Sequence, residues 1–262
     1  MHLLKALKNK KGRDLHKMFV VEGEKFVKEI PDDWEIVQYA VHQDYADKHN
    51  LNKFEQRAPV MFIKNSLFVS ISDTVTPQGI LAIVRQKKYR LHDLFTDTDN
   101  KPESLSAPFI LVGEHLNDPG NVGTLIRTAT AAGVTGIILT TDSADFYNPK
   151  VIRASAGAAL RVQIIQDISL DDAAEFLKTH HIKIYAAHPR GAQTPYDTNM
   201  QEAIAILIGN ETHGISRDAE HHADALITLP MSNGTESLNA GIAGSIIMYE
   251  AVRQRLNSKS IS

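Results

Sequence analysis

The sequence predicts an α/β protein in two parts: a small α/β layered unit over residues 1–90, and a larger unit over 107–262. The larger unit reads as a mostly parallel sheet with helices on both faces, and 91–106 joins the two as a linker. Three observations predict this. Short apolar runs alternate with helical stretches along the whole chain, the pattern of layered α/β architecture. Two runs, Phe109-Ile110-Leu111-Val112 and Ala203-Ile204-Ala205-Ile206-Leu207-Ile208, are continuously apolar, as in parallel strands covered on both faces. Between the two parts, Asp97-Thr98-Asp99-Asn100-Lys101-Pro102-Glu103-Ser104 has little apolar content and no periodicity, which marks a linker.

The elements follow in order. The opening is basic, with Lys5, Lys8, Lys10, Lys11, Arg13 and Lys17 interrupted by Asn9 and Gly12. It reads either as a solvated terminus or as an arm whose cations meet phosphates. Strands are expected over 18–21, 35–41, 60–63 and 79–84, with helices over 24–30, 44–50 and 66–71 between them. In the second part, a strand over 109–114 enters a turn-rich loop and a helix over 121–132, which Gly133 ends. Strands are expected over 136–140, 162–165, 184–187, 203–209 and 225–229. Helices are expected over 148–155, started by Pro149, and over 170–180 and 237–255. Pro230 ends the last strand because it has no N–H, and Asn233-Gly234 is a turn pair. Gly241 and Gly244 inside the final helix cost roughly 1 kcal/mol each relative to alanine, which indicates close approach to that helix.

Composition bounds the function. The chain has 262 residues, 43% hydrophobic and 23% charged, as in soluble globular proteins. With no cysteine, disulfides, thiolate-ligated zinc and cysteine nucleophiles are excluded. The start lacks a signal-peptide pattern and no run is long enough to span a membrane, so a cytoplasmic protein without membrane contact is expected. The pairs His180-His181 and His221-His222 are adjacent rather than at ligand spacing, so no metal is expected. The net charge of −3 leaves nucleic-acid binding to local patches.

In open parallel sheets, ligands sit beyond the carboxyl ends of the strands. Polar, glycine-containing loops lie at three of those ends: 117–123, 209–216 and 230–239. None is a dinucleotide or P-loop glycine motif. In this order, however, they resemble the three motifs of the SpoU/TrmH group of SPOUT methyltransferases. Asn117-Asp118-Pro119-Gly120-Asn121-Val122-Gly123, continuing to Arg127, resembles the first. Ile208-Gly209-Asn210-Glu211-Thr212-His213-Gly214-Ile215 resembles the second, and Leu229-Pro230-Met231 through Ser237-Leu238-Asn239 the third. The match covers about 106–256. The first part resembles the ribosomal-protein-like RNA-binding domain that often precedes this catalytic domain, through Arg13, the basic arm and Phe19-Val20-Val21-Glu22-Gly23.

The resemblance implies a trefoil knot, S-adenosylmethionine as cofactor, a homodimer with sites drawn from both subunits, and methyl transfer to a ribose 2′-OH of RNA. The separate first domain favours ribosomal over transfer RNA. It also implies the site: Arg127, Asn121, Glu211 and Asn239 as catalytic, and Gly209, Leu229, Leu238 and Ser237 around the cofactor, with Lys10, Lys11 and Arg13 on RNA. Arg127 would stabilise the 2′-oxygen as its proton leaves, an easier role for an arginine than that of base, because its reference pKa exceeds 12. Asn121 is expected to cap its helix and shape the loop, and Glu211 to orient Arg127 or Asn239. Glu236 puts an acid beside the cofactor loop, where many relatives have a smaller polar residue. Arg153 and Ser155 are open between RNA contact, dimer contact and a solvated helix end. Three alternatives stand beside this reading: a transfer-RNA 2′-O-methyltransferase, a non-catalytic RNA-binding or ribosome-assembly protein of the same fold, and an enzyme acting on a small substrate.

Overall fold

The computed structural model describes residues 2–95 and 107–257. Most of the expected linker lies outside them, and its first residues, Leu91–Phe95, form a 3-10 turn.

The first unit holds α1 (His2–Ala6), α2 (Lys10–His16), β1 (Met18–Glu22), α3 (Glu24–Lys28), β2 (Ile36–His42), α4 (Gln43–Ala46), α5 (Asn52–Glu55), β3 (Val60–Ile63), α6 (Asn65–Ile71) and β4 (Ile80–Arg85). Its sheet has the order β1-β4-β2-β3, with β4 antiparallel to both neighbours and β2 parallel to β3. The basic opening is therefore a helix pair rather than a loose arm. Asn9 starts α2 by accepting the Gly12 N–H at 2.8 Å. Gly12 is where the two helices cross, because a Cβ there would lie 1.9 Å from the Ala6 carbonyl oxygen.

The second unit holds β5 (Phe109–Gly113), α7 (Pro119–Ala131), β6 (Gly136–Thr140), α8 (Pro149–Ala154), β7 (Ile164–Ile168), α9 (Leu170–Thr179), β8 (Lys183–Ala187), β9 (Ile204–Ile208), α10 (Arg217–His222), β10 (Ala225–Ile227) and α11 (Ala240–Asn257). The six strands are all parallel, in the order β10-β8-β9-β5-β6-β7. Alternation along β5 explains the continuous apolar runs. Phe109 and Leu111 enter the core under α7, α8 and α11, whereas Ile110 and Val112 face the core under α9 and α10. Arg255 anchors the end of α11, donating to the carbonyls of Met200, Glu202 and Ala107 and lying over the Phe109 ring at 4.6 Å. Burial pulls its guanidinium down to about 10.

Some boundaries differ from expectation for local reasons. Asp118 caps α7 by accepting the Asn121 N–H at 2.8 Å, so Asn121 sits inside the first turn and does not cap it. Gly133 follows the C-cap with φ of 74°, as its role as helix terminator requires. Helix α11 begins at Ala240 rather than 237. Asn239 caps it, its side chain accepting the Ile242 N–H at 3.2 Å and its carbonyl the Ala243 N–H at 2.9 Å. Strand β7 starts at Ile164, where pairing with Ile137 begins.

The two units share a continuous apolar core, which includes Phe19 and Trp34 from the first and Phe146, Tyr147 and Leu160 from the second. Polar contacts lock this seam. The Trp34 indole N–H donates to the Leu160 carbonyl at 2.9 Å. The Tyr147 hydroxyl donates to the Lys87 carbonyl at 2.6 Å and accepts the Lys87 N–H at 2.8 Å, and burial raises its pKa well above the ordinary tyrosine value. Arg13, expected on RNA, is part of this lock. It is 2% exposed, donates twice to Asp145 Oδ2 at 2.8 and 2.6 Å, and gives its remaining arm to the Leu7 carbonyl at 3.0 Å. A guanidinium so enclosed has no face for phosphate. Lys10 pairs with Asp167 at 3.2 Å while half-exposed, and Lys11 is exposed.

Candidate active site

The carboxyl ends of β5, β9 and β10 bring the three motif loops together. Between the second and third of them and the turn after β8, residues 187–190, lies a cleft of about 340 Å³, within the usual range for small-ligand sites. Gly209, Leu229, Ser237 and Leu238 all line it, Leu229 and Leu238 forming an apolar wall with Ile247. Glu211 also reaches the cleft, whereas Asn121, Asn239 and Arg127 do not line it.

The loop after β9 is held mainly by its own backbone. Asn210 and Gly214 exchange N–H to carbonyl hydrogen bonds, each 2.9 Å long. A Cβ on Gly209 would lie 2.4 Å from the Gly214 carbonyl and 2.5 Å from the Ile215 nitrogen. The close approach that requires glycine at 209 is thus to the loop's own far strand. Asn210 pins the loop further: its Oδ1 accepts from the N–H groups of Thr212 and His213, and its Nδ2 donates to the His115 carbonyl at 2.8 Å. Glu114 completes the hold. This side chain is 1% exposed, its Oε2 accepts the Ser216 N–H at 3.0 Å, and its Oε1 is buried without a partner among the described residues. The sequence alone gives Asn210 and Glu114 no separate role, although an acid ending a wholly apolar strand is a signal that points to Glu114.

A directional hydrogen-bond chain crosses the motifs. Asn121 Nδ2 donates to Glu211 Oε1 at 2.9 Å, and Asn121 Oδ1 accepts from Asn239 Nδ2 at 2.8 Å. Asn239 Oδ1 in turn accepts the Ile242 N–H that begins α11. Because a carboxylate only accepts, Glu211 sets the orientation of both amides. The structure therefore joins Glu211 to Asn121, and through it to Asn239, instead of to Arg127. Arg127 lies six residues beyond Asn121, roughly 9 Å along the helix and about 240° around it. It is exposed and apart from the cleft.

Helix α11 packs closely on α7. A Cβ on Gly244 would meet Leu125 Cδ2 at 2.5 Å, and Ser245 Oγ donates to Thr128 Oγ1 at 2.9 Å. Its outer face leaves Ile242, Ile246, Tyr249 and Leu256 exposed by 48, 37, 51 and 60%. Among the described residues no cluster of His, Cys, Asp or Glu is suited to a metal ion. His222 instead meets Asp171 at 2.8 Å, and His180 the Phe176 carbonyl at 2.8 Å. No helix among the described residues is long and apolar enough to cross a membrane.

Comparison with known proteins identifies the family of this fold. The model of the SpoU rRNA methylase family matches residues 108–249, and that of the MRM3-like substrate binding domain matches 1–82. The Escherichia coli 23S rRNA (guanosine-2′-O-)-methyltransferase RlmB is 31% identical over 78% of this chain and 84% of its own length. The Synechocystis tRNA/rRNA methyltransferase slr1673, itself uncharacterized, is 32% identical over 74% of this chain and 67% of its own. Among solved structures, an AdoMet-bound rRNA methyltransferase from Sinorhizobium meliloti superposes with a TM-score of 0.83 at 26% identity, covering 96% of this chain and 93% of that one. With the strand order, the motif loops and these matches in accord, the chain belongs to the SpoU rRNA methylase family.

Proposed function

We propose that this protein transfers a methyl group from S-adenosylmethionine to a ribose 2′-OH of ribosomal RNA, acting in the cytoplasm as a homodimer. The carrying observation is that the second and third motif loops line one cleft, with Glu211 on its wall tied by hydrogen bonds to Asn121 of the first motif and through it to Asn239. The cleft suits the cofactor. Leu229, Leu238 and Ile247 offer an apolar wall for a flat heterocycle, and Glu211 offers an acid to a positively charged ligand. When bound, S-adenosylmethionine supplies the electrophilic sulfonium methyl.

The chain's own residues prepare the acceptor. The Glu211–Asn121–Asn239 chain fixes the first and third motif loops against the second, so that the ribose meets preorganised amides rather than mobile ones. Arg127 supplies a fixed positive charge that stabilises the developing 2′-alkoxide, while a phosphate or solvent takes the proton. Its exposure, away from its own subunit's cleft, supports a site completed by a second copy. The apolar stripe on α11 supports the same reading, because such a face is commonly covered by a partner. The knot belongs to this reading too: the chain leaves β10, passes the cleft edge through 229–239, and returns to pack α11 on α7 and β9. The first unit favours ribosomal over transfer RNA. A tRNA 2′-OH methylation structure at 26% identity covers only 58% of this chain, whereas the RlmB match covers 78%.

Unmodified ribosomal and transfer RNA, each incubated with protein and S-adenosylmethionine and digested to nucleosides, test this directly. A 2′-O-methylnucleoside is expected from ribosomal RNA. Its appearance only in transfer RNA would reassign the substrate. Cofactor binding with neither RNA methylated would favour the non-catalytic alternative.

A further inference from the structure

We propose that Arg190 binds the carboxylate of the cofactor's amino-acid tail and so sets the direction in which the cofactor lies; this rests on the methyl-transfer reading. S-adenosylmethionine is a zwitterion with one anionic group, the α-carboxylate, and two cationic ones, the ammonium and the sulfonium. The residues lining the cleft include one arginine, Arg190, and one carboxylate, Glu211, which come from two different loops. A cleft that carries both charges matches the zwitterion in a single polarity.

The turn that carries Arg190 is built, not loose. The Arg190 N–H donates to His188 Nδ1 at 3.1 Å, and the Gly191 N–H donates to the His188 carbonyl at 3.1 Å. A Cβ on Gly191 would lie 2.6 Å from the Leu226 carbonyl oxygen, so the turn is pressed onto β10. The His188 side chain is itself mostly buried, with Nε2 3.7 Å from Glu220. Backbone and neighbour thus fix where the Arg190 side chain starts. Arg190 is exposed, lines the cleft, and is paired with no carboxylate among the described residues. A guanidinium is the side chain best matched to a carboxylate, through two parallel N–H donors.

Calorimetric titration of the full chain, without RNA, with S-adenosylmethionine and with decarboxylated S-adenosylmethionine tests this. Arg190→Ala is expected to weaken the first ligand by about 10- to 100-fold, the scale of a charge-assisted hydrogen bond, and to leave the second nearly unchanged. Arg190→Lys is expected to recover part of the loss. Equal weakening of both ligands, or of neither, would overturn the proposal. So would a variant that loses only affinity for RNA phosphate while keeping its preference between the two ligands. Binding of neither ligand by the native chain would instead contradict the methyl-transfer reading itself, and the proposal with it.

Discussion

Two arginines of this chain, Arg13 and Arg127, show how differently the seam between the units and the motif face are built. At the seam, Arg13 is enclosed and bonded to Asp145 and to a backbone carbonyl, with aromatic rings packed close by. At the motif face, Arg127 is exposed and lies apart from the hydrogen-bonded trio that shares its motifs. The first arrangement holds two units in fixed relation. The second presents polar groups that are preorganised on one side and open on the other, as a surface that must receive a large substrate requires. Charge alone does not separate the two uses; the environment of the charge does.

The largest effect expected from breaking this contrast is on stability. Asp145→Ala leaves the Arg13 charge buried without its partner and should cost about 3–5 kcal/mol, lowering the midpoint of thermal unfolding by roughly 10 °C. Replacing both partners together, Arg13→Met with Asp145→Leu, should recover much of that loss in the same melt. Arg127→Ala should do the opposite: leave the melt unchanged and reduce methyl transfer by about 10²–10³-fold, with cofactor affinity retained in titration. Lost cofactor binding with normal turnover would contradict the role given to Arg127. Gly244→Val, which drives a side chain into Leu125, should cost about 1–3 kcal/mol in denaturant unfolding by forcing α11 off α7.

The smallest effect is one of pH. The Arg253 hydrogen bond holds the Glu250 carboxylate below the usual glutamate range, and Glu250 also accepts from Gln254. A depressed folded-state value means that this stabilisation is complete above the ordinary glutamate pKa of about 4.3, and is lost as pH falls through the lower folded value. Glu250→Gln should therefore flatten the acid limb of a stability-versus-pH curve, a change that unfolding measured from pH 6 downward would detect.

Much of the fold is legible because it depends on local patterns. The continuous apolar runs require strands covered on both faces, and Gly133 and Pro149 mark helix ends by their own conformational limits. The motif loops are legible as polar, glycine-containing ends of those strands. What was hidden depends on partners distant in sequence. Nothing near Arg13 announces a carboxylate at Asp145, so a basic run looks like a surface arm. Gly209 signals a close approach but not its target, which is the far side of its own loop. Glu211 carries its charge openly, but its choice of Asn121 over Arg127 follows from the angular separation of those residues on α7. Short α10, with little apolar content, offers no periodicity to read.

The central claim, that the motif face becomes a site only when a second copy supplies Arg127, is tested most directly by mixing two inactive variants. Arg127→Ala and Glu211→Ala subunits, unfolded together and reassembled in equal amounts, would give dimers of which about half are hybrids. Each hybrid would carry one site with both defects and one with neither. The account predicts that methylation of ribosomal RNA returns to about a quarter of the native level. A mixture no more active than either variant alone would contradict it.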